Sequence, residues 1–163
     1  METRVVVTGF GKFGNILSNP TTEICRTLEK EQLSSLERVC VMETSKKAVL
    51  ETLEEFQKQG LYDEPIVFLH LGVNSNIKRF ELESTAYNAA NFRVPDEQGW
   101  MAKAEALDSN VAYDSPCCTT LDLKSITADL KAKGFLVDIS NDPGRYICNF
   151  VYYHSLRLTN VSR

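Results

Sequence analysis

Histidine is scarce in this chain, which holds only His70 and His154 among its 163 residues. That scarcity argues against a histidine-built metal centre and leaves a nucleophile in need of an imidazole base few candidates. No C-x-x-C pair occurs among the five cysteines, and the adjacent Cys117-Cys118 lacks the spacing and companion ligands of a zinc site. An odd cysteine count points instead to free thiols in a reducing compartment. No run of about 18 apolar residues offers a membrane span. Met1-Glu2-Thr3 leads straight into a strand-like segment without a basic and apolar leader, so the expected location is cytoplasmic. Basic residues are outnumbered, 18 Lys and Arg against 22 Asp and Glu, and form no stripe interleaved with aromatics. Nucleic-acid partners are set aside accordingly.

What is present is an ordinary globular composition, 43% hydrophobic and 25% charged. At this length residues 1–163 read as a single domain that buries roughly 70% of its unfolded surface. Strand-like and helix-like segments alternate. Arg4 to Thr8 is a continuous β-branched run, the pattern of a strand buried on both faces. Asn19-Pro20 supplies an N-cap and an N1 proline for a helix carrying Ile24, Leu28 and Leu33. Arg38 to Met42 is a second strand, and Lys46 to Lys58 a second helix with Val49, Leu50, Leu53 and Phe56 at helical spacing. Pro65 to Leu71 is a third strand, closed by Gly72, and Phe80 to Tyr87 alternates as another. A polar stretch from about Asn88 to Thr120 follows. Leu123 to Lys133 reads as helix, Phe135 to Ile139 as strand and Arg145 to Leu158 as the last helix. Repeated β-α-β order with uninterrupted apolar strands predicts an α/β fold: a mostly parallel open sheet with helices on both faces. Ligands in such sheets bind beyond the carboxyl ends of the strands.

Pro143 and Gly144 break the chain just before the last helix and set Cys148 in its first turn. Unpaired N–H groups and the macrodipole there favour a thiolate, so the expected thiol pKa is lowered. His154 follows six residues later on the same helix, about 120° round and about 9 Å along, out of reach as that thiol's base. His70 ends a buried strand at the correct edge of the sheet. Gly9-x-Gly11-x-x-Gly14 has dinucleotide-fingerprint spacing, but Asn15 to Ser18 intervenes before the helix cap and two phenylalanines replace bare backbone. Phe10 and Phe13 suit the wall of a small apolar pocket better, or the plugged end of a sheet. Glu81 and Glu83 share one face of a strand. Cys25 and Cys40 read as small buried hydrophobes.

Three segments together resemble the pyroglutamyl peptidase type I family of cysteine peptidases. They are Val7 to Gly14 with Asn19-Pro20, Phe80-Glu81-Leu82-Glu83-Ser84-Thr85-Ala86-Tyr87-Asn88, and Ser140 to Asn149. The segments His70 to Ser75 and Phe92 to Trp100 are most similar to the plant-type branch. The resemblance implies a three-layer α/β/α sandwich and removal of N-terminal pyroglutamate from peptides, with no metal or cofactor. It implies Cys148 as nucleophile and Glu83 as the acidic member of a triad. Phe10, Phe13 and Thr44 match positions about the pyroglutamate ring, and Val94, Tyr146 and Ile147 match further pocket positions.

The departures shape the expectation as well. Ser84 follows the acidic residue where the family commonly has Arg. The family's histidine belongs to a His-Val-Pro-like segment past the last helix, which residues 1–163 do not contain. By the resemblance the chain looks C-terminally truncated, lacking the last strand and helix, and nearly inactive alone. An unpaired sheet edge then favours self-association.

Overall fold

A computed structural model describes residues 3–31 and 33–161. Its centre is a parallel sheet of β1 (Arg4–Phe10), β2 (Leu36–Met42) and β3 (Ile66–His70) in the order β2-β1-β3. The β-branched run of β1 takes the middle place, where both faces are covered, and Val6 to Phe10 are buried. Against one face lies α1 (Pro20–Glu31). A Cβ on Gly9 would come within 2.7 Å of Cys25 Sγ and 2.9 Å of the Thr21 carbonyl, so the helix packs this closely only because residue 9 is glycine. Against the other face lie α2 (Lys46–Lys58) and α4 (Ile147–Val161). Their Val49, Leu53, Phe56, Ile147, Phe150 and Val151 enclose a core with Val6, Phe10 and Met42.

The remaining strands form two pairs. β4 (Phe80–Glu83) runs parallel to β7 (Val137–Ser140), and β5 (Thr85–Tyr87) runs antiparallel to β6 (Pro116–Cys118). α3 (Leu123–Ala132), capped by the Asp122 side chain, packs on β7. The strand expected over Phe80 to Tyr87 is thus divided, and Ser84 is the point of division. Its N–H donates to the Ser140 carbonyl at 2.7 Å while its own carbonyl accepts from Thr119 N at 3.1 Å. The chain therefore changes from a parallel partner to an antiparallel one within a residue.

Two further expectations are adjusted. The buried residues of α1 are Thr21 and Cys25, whereas Ile24 is 43% exposed and Leu33, beyond the end of the helix at Glu31, is 47% exposed. Gly9 sets that choice, because its close approach turns the small residues inward. The polar stretch from Asn88 to Thr120 carries the short strand β6 at its end and is otherwise ordered by buried side chains. The Asn88 amide accepts from Asp108 N at 2.7 Å and faces the carbonyls of Asp108, Val111 and Ala112. Asp96 accepts from Gln98 N, Trp100 N and Lys46 N, the last joining this stretch to the start of α2. Among the described residues β3 pairs only with β1 and β4 only with β7. Leu69, Phe80, Leu136 and Ile139 on these strands and the adjoining turn are 42–73% exposed.

Candidate active site

Cys148 is the second residue of α4, within its first turn as expected. The loop leaving β3 meets it. A Cβ added to Gly72 would stand 2.9 Å from Cys148 Sγ and 3.7 Å from its Cβ, so the sulfur rests on bare backbone. The backbone N–H groups of Val73 and of Cys148 itself donate to the sulfur. These donors ease a thiolate, but burial outweighs them and the Glu83 charge adds to it, and the thiol is pushed up to about 11. The lowered pKa expected from the helix end alone is therefore overturned: desolvation wins where the sulfur is packed against Gly72.

Glu83 closes β4, beside Ser140 at the end of β7. The Ser140 hydroxyl and the Asp142 N–H donate to its carboxyl, yet Oε2 is buried without a partner among the described residues. Burial raises its pKa, with the charges of Glu81 and Asp142 in the same direction. Tyr152 of α4 donates its hydroxyl to the Glu83 carbonyl at 2.7 Å, which ties the strand carrying the acid to the helix carrying the thiol. The carboxyl ends of β3, β4 and β7 thus place the Glu83 charge where it acts on the Cys148 thiol.

The aromatic wall is built from loops. Phe13 and Ile16 exchange backbone hydrogen bonds of 3.1 and 2.9 Å, and Gly14, at φ +49°, makes the turn between them. The Phe13 ring lies 6.3 Å from the Tyr146 ring, which stands edge-on to Phe92 at 4.6 Å. Tyr146 donates its hydroxyl to the Pro95 carbonyl at 3.0 Å, and Gly14 N–H donates to Glu97 Oε1 at 3.0 Å. The loop at 92–97 consequently fastens both aromatic walls, and Val94 on it is exposed. Thr44 is buried, its hydroxyl 3.3 Å from the Gly11 carbonyl and its own carbonyl accepting from Glu97 N at 3.1 Å. Phe10 and Ile147 belong to the core beneath, 2% and 0% exposed. Gly72, Val73 and Glu97 were not singled out as site residues from sequence; only the glycine closing a buried strand hinted at them.

Among the described residues no hydrogen bond joins either histidine to the thiol. His70 Nδ1 lies 2.8 Å from Thr8 Oγ1, and its Nε2 is buried with no partner among the described residues. Burial pushes the ring down to about 4. The His154 ring lies tilted against Phe150, centroids 4.5 Å apart, in a groove with Trp100 and Lys46. It too is pushed down to about 4, by burial and then by Lys46. Among the described residues no three His, Cys, Asp or Glu side chains gather as a metal site, and no helix is long and apolar enough to cross a membrane.

Comparison with known proteins bears on the family and the fold. The family model described as pyroglutamyl peptidase matches residues 3–162. The pyrrolidone-carboxylate peptidase of Pyrococcus furiosus is 32% identical over 160 residues, covering 94% of this chain and 72% of that protein. The one from Aliivibrio fischeri is 28% identical, covering 97% and 74%. The crystal structure of the pyrrolidone carboxyl peptidase from Fervidobacterium islandicum superposes with a TM-score of 0.87 at 30% identity, over 98% of this chain and 74% of that one. Sequence and fold converge: the chain belongs to the pyroglutamyl peptidase family.

Proposed function

We propose that this chain receives the N-terminal pyroglutamate of a peptide, and that as residues 1–163 it cleaves the bond after it only slowly. The ring would enter between Phe13 and Tyr146, with the scissile carbonyl over Cys148. Hydrolysis then requires the thiol to lose its proton, the thiolate to add to the carbonyl, and the peptide amine to leave with a proton. Water next attacks the thioester, releasing pyroglutamate and restoring the thiol. No metal or cofactor enters these steps. The N–H groups of Val73 and Cys148, which already point at the sulfur, are the available donors for charge developing on the carbonyl oxygen.

The observation that carries the reading is Cys148 at the start of α4, its sulfur packed on the Gly72 backbone. Cys148 lies in the field of Glu83 at the strand ends, yet its thiol is held well above neutral pH. With a pKa of about 11 only about one thiol in 10⁴ is ionised at pH 7. A fluorogenic pyroglutamyl amide assay tests this directly. Turnover near an ordinary enzyme's rate of about 10 s⁻¹ would refute the impairment, and failure of pyroglutamyl peptides to bind at all would refute the pocket.

The same protonated thiol favours a second reading, a non-catalytic binder of pyroglutamyl peptides or a partner of a full-length relative. Calorimetric binding of a pyroglutamyl peptide unchanged in Cys148→Ala, without turnover in the parent chain, would support it. A cytoplasmic site of action and self-association through the open edges of β3 and β4 complete the proposal.

A further inference from the structure

Arg145, three residues before the nucleophile, makes more contacts than a surface arginine needs. Its Nε and Nη2 donate to the two carboxylate oxygens of Asp114 at 2.6 and 3.3 Å, and Nη1 donates to Asp142 Oδ1 at 2.7 Å and the Gly144 carbonyl at 2.9 Å. Its guanidinium carbon stands 3.9 Å from the centre of the Tyr87 ring. Only 22% of the arginine side chain is exposed. Asp114 occupies a left-handed backbone conformation at φ +61°, one that a non-glycine residue adopts at a cost. The carboxylate is thus presented to Arg145 by a turn that does not favour itself.

Tyr87 is the common anchor. Its ring carries Arg145, its hydroxyl donates to the Asn141 carbonyl at 2.9 Å, and its backbone N–H and carbonyl are bound by the Asn149 amide at 2.8 and 2.9 Å. Residues 141, 145 and 149 lie on both sides of Cys148, and all three grip one residue. That residue is four positions beyond Glu83, across the switch at Ser84.

We propose that Arg145 is a positioning residue that sets the separation of Cys148 and Glu83 by stapling the loop before α4 to Tyr87. The proposal rests on reading these two as the reacting thiol and its acid. It assigns Arg145 no contact with substrate. Lysine cannot replace it, because a point charge cannot grip Asp114 at two points, reach Asp142 and lie flat on a ring together.

The test needs no turnover. Iodoacetamide alkylation of the intact chain is followed across pH 7–11 by mass spectrometry of the peptide carrying Cys148, with buried Cys25 on the opposite face as internal control. In the parent chain Glu83→Gln removes a charge that raises the thiol's pKa, so Cys148 alkylation at pH 9 speeds up about threefold or more. In Arg145→Gln and in Asp114→Asn that effect shrinks below twofold, while Cys25 is unchanged; Arg145→Lys behaves as Arg145→Gln. An undiminished Glu83→Gln effect in these backgrounds would overturn the proposal, as would parent behaviour in Arg145→Lys. If Arg145→Gln unfolds, Asp114→Asn carries the test; an unfolded Asp114→Asn would make the staple a requirement of the fold and overturn its positioning role. No Glu83→Gln effect in the parent chain would instead remove the thiol–acid pairing beneath it.

Discussion

Gly72→Ala isolates the contact on which the site is built. The added methyl carbon would sit 2.9 Å from Cys148 Sγ, a separation real Cβ atoms essentially never show, while its 3.7 Å distance to Cys148 Cβ is ordinary contact. The backbone at Gly72 is not left-handed, so the penalty is steric overlap with the sulfur rather than strain at φ. Overpacking of this kind costs roughly 1–3 kcal/mol. For a domain of this size each kcal/mol lowers the melting temperature by roughly 2–4 °C, so a fall between about 2 and 12 °C is expected. The cost belongs to one atom pair and should disappear with it: in Cys148→Ala, which has no Sγ, Gly72→Ala becomes nearly neutral. Thermal unfolding of the parent, the two single variants and the double variant gives the coupling directly, expected at about 1 kcal/mol or more. Gly14→Ala is the contrast, because nothing lies within 4 Å of a Cβ there and only its φ of +49° opposes the change. Its cost, roughly 1–2 kcal/mol, should be the same with or without Cys148. Strict additivity of Gly72→Ala with Cys148→Ala would refute the close packing of sulfur on backbone.

Other outcomes follow from the same geometry. Alkylation of Cys148 should rise about tenfold per pH unit from 7 to 10 toward an inflection near 11; an inflection below 8 would contradict the burial argument. His70 is held neutral by burial, its pKa depressed to about 4. Its contribution to stability is therefore complete above the unfolded value of about 6.5 and is lost as pH falls through 4, by roughly 3 kcal/mol in full. His70→Gln should flatten the fall in melting temperature between pH 7 and 4.5, and an unchanged slope would remove the claim. The exposed Leu69, Phe80, Leu136 and Ile139 beside open strand edges should make association concentration-dependent in light scattering. Leu136→Lys, at a side chain 73% exposed, should weaken it without lowering the melting temperature.

Much of the fold was legible in residue order. The β-branched run at Arg4–Thr8 falls within the central strand, Asn19-Pro20 opens α1, and the spacing of Val49, Leu53 and Phe56 matches the buried face of α2. These are local patterns, and neighbouring residues suffice to specify them. Pro143-Gly144 likewise placed Cys148 in the first turn of a helix. The break at Ser84 was not legible, because it depends on which strands arrive at Ser140 and Thr119 from more than thirty residues away. Nor was the inward face of α1, which Gly9 decides from a different element.

The chemistry divides along the same line. Residue types determined that a thiol would stand at a helix start and a carboxylate on a strand, because helix starts and strand alternation are properties of short segments; only the family resemblance paired the two. Whether that thiol ionises was decided only when β3 brought Gly72 and Val73 against it and β4 brought Glu83 within its field. Desolvation and charge–charge interaction depend on distance in space, and the groups that set them are separated by tens of residues in the chain.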